Sequence, residues 1–235
     1  MIRIARLIAA KDLRVEWRSR VLLNQVLPFA MIVLVLFAFA LDNGGVVSDG
    51  TINRSITEYV APGLLWLATM FSLLIVVQRA FAIEAGDGAL DALRVAGVDP
   101  AGIFLGKALA IAVQLLVLEV VTALGVMVFY DAQVRLGGLV LLVTTLVTAT
   151  CGLAAVGTLY GGLTAGAKGR ETLLPLLLLP VVAPVLIGAT KASEAAWGTG
   201  GTDLTEGWPW IGLLAVFATV FIAVGTVAFG SLLDE

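Results

Sequence analysis

Residues 103–129, IFLGKALAIAVQLLVLEVVTALGVMVF, decide the fold. Apart from Lys107, Gln114, Glu119 and Thr122, the run is apolar or glycine. A helix rises 1.5 Å per residue, so a hydrocarbon core of about 30 Å takes about 20 apolar residues to cross. This run exceeds that length, and five others meet or approach it: Val21–Leu41, Tyr59–Val77, Leu136–Leu163, Thr172–Thr190 and Trp210–Leu232. Inside lipid only helices or closed barrels satisfy every backbone N–H and C=O. None of the six runs shows the period-2 alternation of a barrel strand. The sequence therefore predicts an all-α polytopic membrane protein with six transmembrane helices, organised as one domain over residues 1–235.

Composition agrees. The chain is 60% hydrophobic and 13% charged, against about 25% charged residues in a soluble domain. Six helices and their loops occupy the 235 residues. The chain is accordingly expected to be non-catalytic, with any energy supplied by a partner protein or an ion gradient. There is no histidine and only one cysteine, Cys151. That removes the commonest metal and haem ligand and any internal disulfide, and leaves Cys151 as a packing residue. No metal site and no nucleic-acid partner are expected.

Charge placement predicts orientation through the excess of Lys and Arg on the cytoplasmic side. With the N-terminus inside, the cytoplasmic segments hold Arg3, Arg6, Lys11, Arg14, Arg18, Arg20, Arg79, Arg94, Lys107, Lys168 and Arg170. The outer segments hold only Arg54, Arg135 and Lys191. Both termini are expected in the cytoplasm. Residues 2–20 mix these bases with Ile4, Leu7, Ile8, Leu13, Val15 and Trp17. The expected element is a retained, uncleaved interfacial helix, with Ile4, Leu7 and Ile8 on one face and bases reaching the headgroups. Outside the membrane, Asp42–Glu58 and the glycine-rich Lys191–Pro209 read as loops, the second ending in Trp208-Pro209-Trp210 at the aromatic belt.

The cytoplasmic segment 84–100 is too patterned for a simple turn. Gly86-Asp87-Gly88 reads as a break and N-cap, Ala89–Ala96 as a two-turn helix, and Gly97 and Asp99-Pro100 as the boundary of the next helix. Leu90 and Leu93 lie on one side of that short helix, Asp91 and Arg94 on another. Its shape suits docking in a groove of a partner; it also suits a solvated loop helix packed on its own bundle.

These residues resemble the CcmB family of haem exporter proteins, membrane components of an ABC-type complex in cytochrome c maturation. The family opening Lys-Asp-Leu-Arg-x-Glu-x-Arg is matched by Lys11-Asp12-Leu13-Arg14-Val15-Glu16-Trp17-Arg18. Ala61-Pro62-Gly63-Leu64-Leu65-Trp66 matches the start of its second helix, and Asp87-Gly88-Ala89-Leu90-Asp91-Ala92-Leu93 its loop. Gly106-Lys107-Ala108 matches the opening of its third helix. The stretch from Leu173-Leu174-Pro175 through Leu179-Pro180 to Pro184-Val185-Leu186-Ile187 matches its fifth. The resemblance spans nearly the whole chain in order. It implies an ABC-2-type permease half in the bacterial inner membrane, with residues 2–20 as an elbow helix. The loop helix becomes a coupling helix, in which Asp87, Gly88, Leu90, Asp91, Leu93 and Arg94 dock a cytosolic ATP-hydrolysing partner. The implied companions are a second copy of the chain, a haem-handling membrane subunit, a small single-span subunit and an outer haem chaperone. Haem is the implied cargo, and ATP acts through the partner. Met31, Met70, Met127, Tyr59, Tyr130 and Tyr160 are candidate ligands, read foremost as packing residues.

Glu119 is the acid well inside an apolar run, and should be protonated, paired or facing a polar cavity. It reads either as a functional group or as a structural hydrogen bond to a neighbouring helix. Pro175, Pro180 and Pro184 are helix-break candidates, predicting two half-helices. Thr144, Thr145, Thr148 and Thr150, with Gly152, Gly157, Gly161 and Gly162, predict close helix contacts. Rival readings are an ABC-2 exporter of a lipid, drug or polysaccharide, a proton-coupled secondary transporter using Glu119, and a scaffold that releases a loaded chaperone without transport.

Overall fold

The computed structural model describes residues 1–42, 46–48, 53–87, 96–130, 136–167 and 169–233. Within them lie α1 (Ile2–Ser19), α2 (Leu27–Asp42), α3 (Ile56–Asp87), α4 (Pro100–Phe129), α5 (Leu136–Thr164), α6 (Arg170–Trp197) and α7 (Leu204–Leu233). Six spans are long and apolar enough to cross a membrane: Leu22–Leu41, Tyr59–Ala82, Pro100–Phe129, Gly137–Thr164, Glu171–Trp197 and Leu204–Ser231. The chain is a polytopic α-helical membrane protein. Among the described residues its strand content is one pair of three-residue segments before α3, Val46–Ser48 antiparallel to Asn53–Ser55.

Helix α5 is central and packs on α7, α6, α4 and α3. Its glycines allow this. A Cβ on Gly157 would fall 2.8 Å from the Val77 side chain, and one on Gly161 or Gly162 would press into the rings of Phe81 or Phe229. Small residues let backbones approach where lipid supplies no hydrophobic drive. The expected glycine contacts are therefore present. The threonines behave differently: Thr144, Thr145 and Thr148 spend their hydroxyls on carbonyls of their own helix, and only Thr150 also reaches another. Helices α2 and α7 show mostly outward, lipid-compatible faces, whereas α3 is enclosed.

Helix α3 ends at Asp87, inside the expected Gly86-Asp87-Gly88 break. Two other boundaries differ from those expected. Helix α6 runs past Lys191 to Trp197, because Ala192, Ala195 and Ala196 are buried core and Lys191 pairs with Glu194 at 2.7 Å one turn on. Gly198, at φ 64°, ends it in the left-handed region that glycine enters freely. Trp208-Pro209-Trp210 then lies inside the first turns of α7, so the outer connection is only residues 198–203.

Candidate functional site

The site is built where α1 crosses the foot of the bundle. Gly102 and Gly106, one turn apart on α4, open the crossing. A Cβ on Gly106 would lie 2.7 Å from the Ala5 carbonyl oxygen and from Ile8, and one on Gly102 would lie 2.9 Å from Ile4. Ala5, Ile8 and Ala9 are buried there. Ile4, Leu7 and Ile8 lie on one side of the helix as expected, but Ile8 is buried and Leu7 is 63% exposed. The reason is that α1 seats on α4 through its small residues, which turns Leu7 outward.

Lys107 follows Gly106 and is 1% exposed. Its Nζ stands 3.5 Å from Asp12 Oδ2 on α1 and 4.8 Å from the centroid of the Phe81 ring on α3. One turn further along α1, Glu16 Oε2 lies 3.8 Å from Arg79 Nε on α3, and Glu16 Oε1 accepts the backbone N–H of Leu22. Glu16 thus caps the helical segment Leu22–Val26 that leads into α2 while holding α3. A cavity of about 10 Å³, lined by Glu16, Arg79 and Gln114 among others, sits beside it. Lys11 also contacts Asp12, at 3.1 Å. The energetics separate these pairs. An exposed pair such as Lys11–Asp12 is worth about 0–1 kcal/mol. Removing one member of a buried pair costs about 3–5 kcal/mol, which is the class of Asp12–Lys107.

Helices α3 and α4 border residues 88–95. The two acids of α1 therefore hold both helices that flank the segment expected to dock a partner. Of the expected docking residues, Asp87 is the last residue of α3; Gly88, Leu90, Asp91, Leu93 and Arg94 lie outside the described residues. The far boundary is as expected: Gly97 has φ 67°, and Asp99 Oδ1 accepts the Ala101 N–H at 3.1 Å ahead of Pro100.

Glu119 is fully buried on α4. Thr150 Oγ1 on α5 donates to Glu119 Oε2 at 2.6 Å and stands 2.5 Å from the Leu146 carbonyl oxygen. Glu119 Oε1 has no hydrogen-bond partner among the described residues. One threonine hydroxyl has one hydrogen for two acceptors. The carboxyl is thus half-bonded at best, and Thr150 keeps a partner without it. The expected structural hydrogen bond exists but satisfies one oxygen of two.

The predicted helix break does not occur. Helix α6 is continuous through Pro175, Pro180 and Pro184. Proline frees the carbonyl four residues back, and for Pro175 that is Glu171. The Gln78 side chain of α3 donates to the Glu171 carbonyl at 3.1 Å. A neighbouring helix thus replaces the lost bond, as lipid-embedded prolines require. Pro180 and Pro184 are one turn apart and both exposed, which concentrates the missing bonds on the outer face. Among the candidate ligands, Tyr130 donates its hydroxyl to the Leu34 carbonyl at 2.6 Å and Met31 lies over Gly125. Trp66 donates to Ser193 Oγ at 2.9 Å and ties α3 to α6.

Sequence patterns alone did not assign the roles of Asp12, Glu16, Arg79 and Gln78. A signal existed for the first two: they are the only acids of a basic helix and stand four residues apart, on one face.

The model of the CcmB protein family matches residues 3–234. Heme exporter protein B of Paracoccus denitrificans is 32% identical over 220 residues, covering 93% of this chain and 89% of the relative. Heme exporter protein B of Rhodobacter capsulatus is 31% identical over 196 residues, covering 82% and 84%. That of Haemophilus influenzae is 26% identical over 225 residues, covering 94% and 91%.

Proposed function

The chain belongs to the CcmB protein family, and on that premise we propose that it is the membrane permease component of a heme exporter in cytochrome c maturation. A separate cytosolic ATPase of the ABC class drives it by docking on residues 87–94. The observation that carries the mechanical part is the clamp under the bundle. Force on the loop between α3 and α4 reaches α1 through Arg79–Glu16 and Lys107–Asp12. Glu16 also connects α1 to the start of the first span. A rocking motion imposed at the loop is therefore shared by α1, α2, α3 and α4 together. Haem is cargo in this reading. With no histidine in the sequence, strong axial ligation belongs to the companion haem-handling protein and the outer chaperone. A second copy of the chain completes the permease.

Co-purification tests the docking. Leu90→Asp with Leu93→Asp should leave the protein inserted and reduce the recovered ATPase at least about tenfold, since two apolar anchors of a groove are replaced by charges. Complexes recovered whole from that variant would remove the loop from the coupling role.

The permease lies in the bacterial inner membrane with both termini cytoplasmic. In a Cys151→Ser background, Asp203→Cys should react with an impermeant thiol reagent added outside, and Ala167→Cys should not. The opposite pattern overturns the orientation.

A further inference from the structure

We propose that the outward arc of α1 is a binding face for anionic phospholipid headgroups of the leaflet in which it lies. The observation is a separation of sign around one helix, bridged at Lys11, which reaches Asp12 at 3.1 Å. The two acids of α1, Asp12 and Glu16, turn inward onto Lys107 and Arg79. Its bases Arg3, Arg6, Lys11, Arg14 and Arg18, and Arg20 just past its end, are all exposed. Among the described residues Arg3, Arg6, Arg14 and Arg18 make no ion pair.

Apolar side chains share that arc. Trp17 is 80% exposed, and Ile2 and Leu7 stand out beside the arginines. Guanidinium groups interleaved with tryptophan and leucine match a layer that is phosphate on one side and acyl chain on the other. A soluble polyanion offers the first half only. The position agrees. Arg20, in the left-handed region at φ 51°, turns the chain directly into the span that begins at Leu22. The crossing at Gly102 and Gly106 places α1 level with the start of the α4 span. The arginines are therefore held at headgroup depth by the same contacts that seat the helix.

The inner and outer faces act together. Anionic headgroups on the arginines balance the positive arc of α1, and a well-seated α1 keeps Asp12 and Glu16 on their cations. Lipid charge thus sets how firmly the feet of α3 and α4 are held, whatever the cargo.

The test uses the full chain purified in neutral detergent and titrated with phosphatidylglycerol, with phosphatidylcholine, and with inorganic phosphate. Phosphatidylglycerol should raise the unfolding temperature by roughly 5 °C or more, the size of shift that ligand binding to the folded state produces. Phosphatidylcholine and free phosphate should shift it by less than about 1 °C by the same linkage. Raising the salt from about 0.05 to about 0.5 M should weaken the phosphatidylglycerol effect about tenfold, a wild-type measurement that needs no variant. Arg3→Gln, Arg6→Gln, Arg14→Gln and Arg18→Gln combined should abolish most of the shift, and the corresponding four Arg→Lys changes should keep it. The proposal is overturned by an equal shift with phosphatidylcholine, by a salt-independent effect, by a full response to inorganic phosphate, or by a Gln variant that responds like the parent.

Discussion

Glu119→Leu is expected to give a protein that folds at least as well as the parent and supports cytochrome c maturation at about a tenth of its level or less. The stability half follows from counting bonds. Burial leaves Glu119 Oε1 without a partner among the described residues, and an unpaired buried polar atom costs about 1–3 kcal/mol. Leucine removes that cost. Thr150 stays satisfied by the Leu146 carbonyl at 2.5 Å, so no orphan is created on α5. A gain of about 1 kcal/mol would raise the unfolding temperature by roughly 2–4 °C in a chain of this length. The activity half rests on the expectation that an ionisable group buried inside a span serves the working cycle. Glu119→Gln separates the two uses of the side chain, since it keeps shape and hydrogen bonding and loses ionisation. Thermal unfolding in detergent, read beside cytochrome c yield in cells, decides the matter. Parallel loss of stability and function in Glu119→Leu assigns a structural bond; full function in that variant removes Glu119 from the cycle.

The second large effect is at Lys107. Lys107→Asp places a carboxylate against Asp12, and should lower stability by at least about 3 kcal/mol, the class of loss seen when a buried pair is broken. Its consequence is specific: α1 should leave α4, and Ala5, Ile8 and Ala9 should become accessible to a membrane-permeant label when carried as cysteines. Lys107→Met keeps an unbranched side chain of similar length and introduces no opposing charge, so its cost should be smaller. Asp12→Lys combined with Lys107→Asp restores opposite charges across the same gap and should recover much of the loss. A swap that recovers nothing would show that the Asp12–Lys107 contact does not seat the helix.

Length and apolarity made the six spans legible in the sequence, because a membrane helix must satisfy its backbone alone and so reports itself in composition. The Asp99-Pro100 start of α4 was equally readable, being local chemistry. What was not legible depended on partners distant in the chain. Pro175 predicts a break because the sequence cannot show that Gln78, nearly a hundred residues earlier, covers the carbonyl of Glu171. Lys107 reads as one base of a boundary motif until the Gly102–Gly106 crossing brings Asp12 over it. Glu119 stood out as anomalous in the sequence, yet only the packing shows that one of its oxygens is left over.

The Gln78 contact has a mechanical meaning for α6. A helix with three internal prolines has already surrendered three of its own backbone bonds, so its stiffness is borrowed. For Pro175 the lender is a single amide on α3, partly exposed and reaching 3.1 Å to the Glu171 carbonyl. If α3 slides or rotates by a few ångströms, that support is withdrawn and the first turns of α6 become pliable without any main-chain bond being broken. The carbonyl that Pro175 frees is covered only while α3 stays in place.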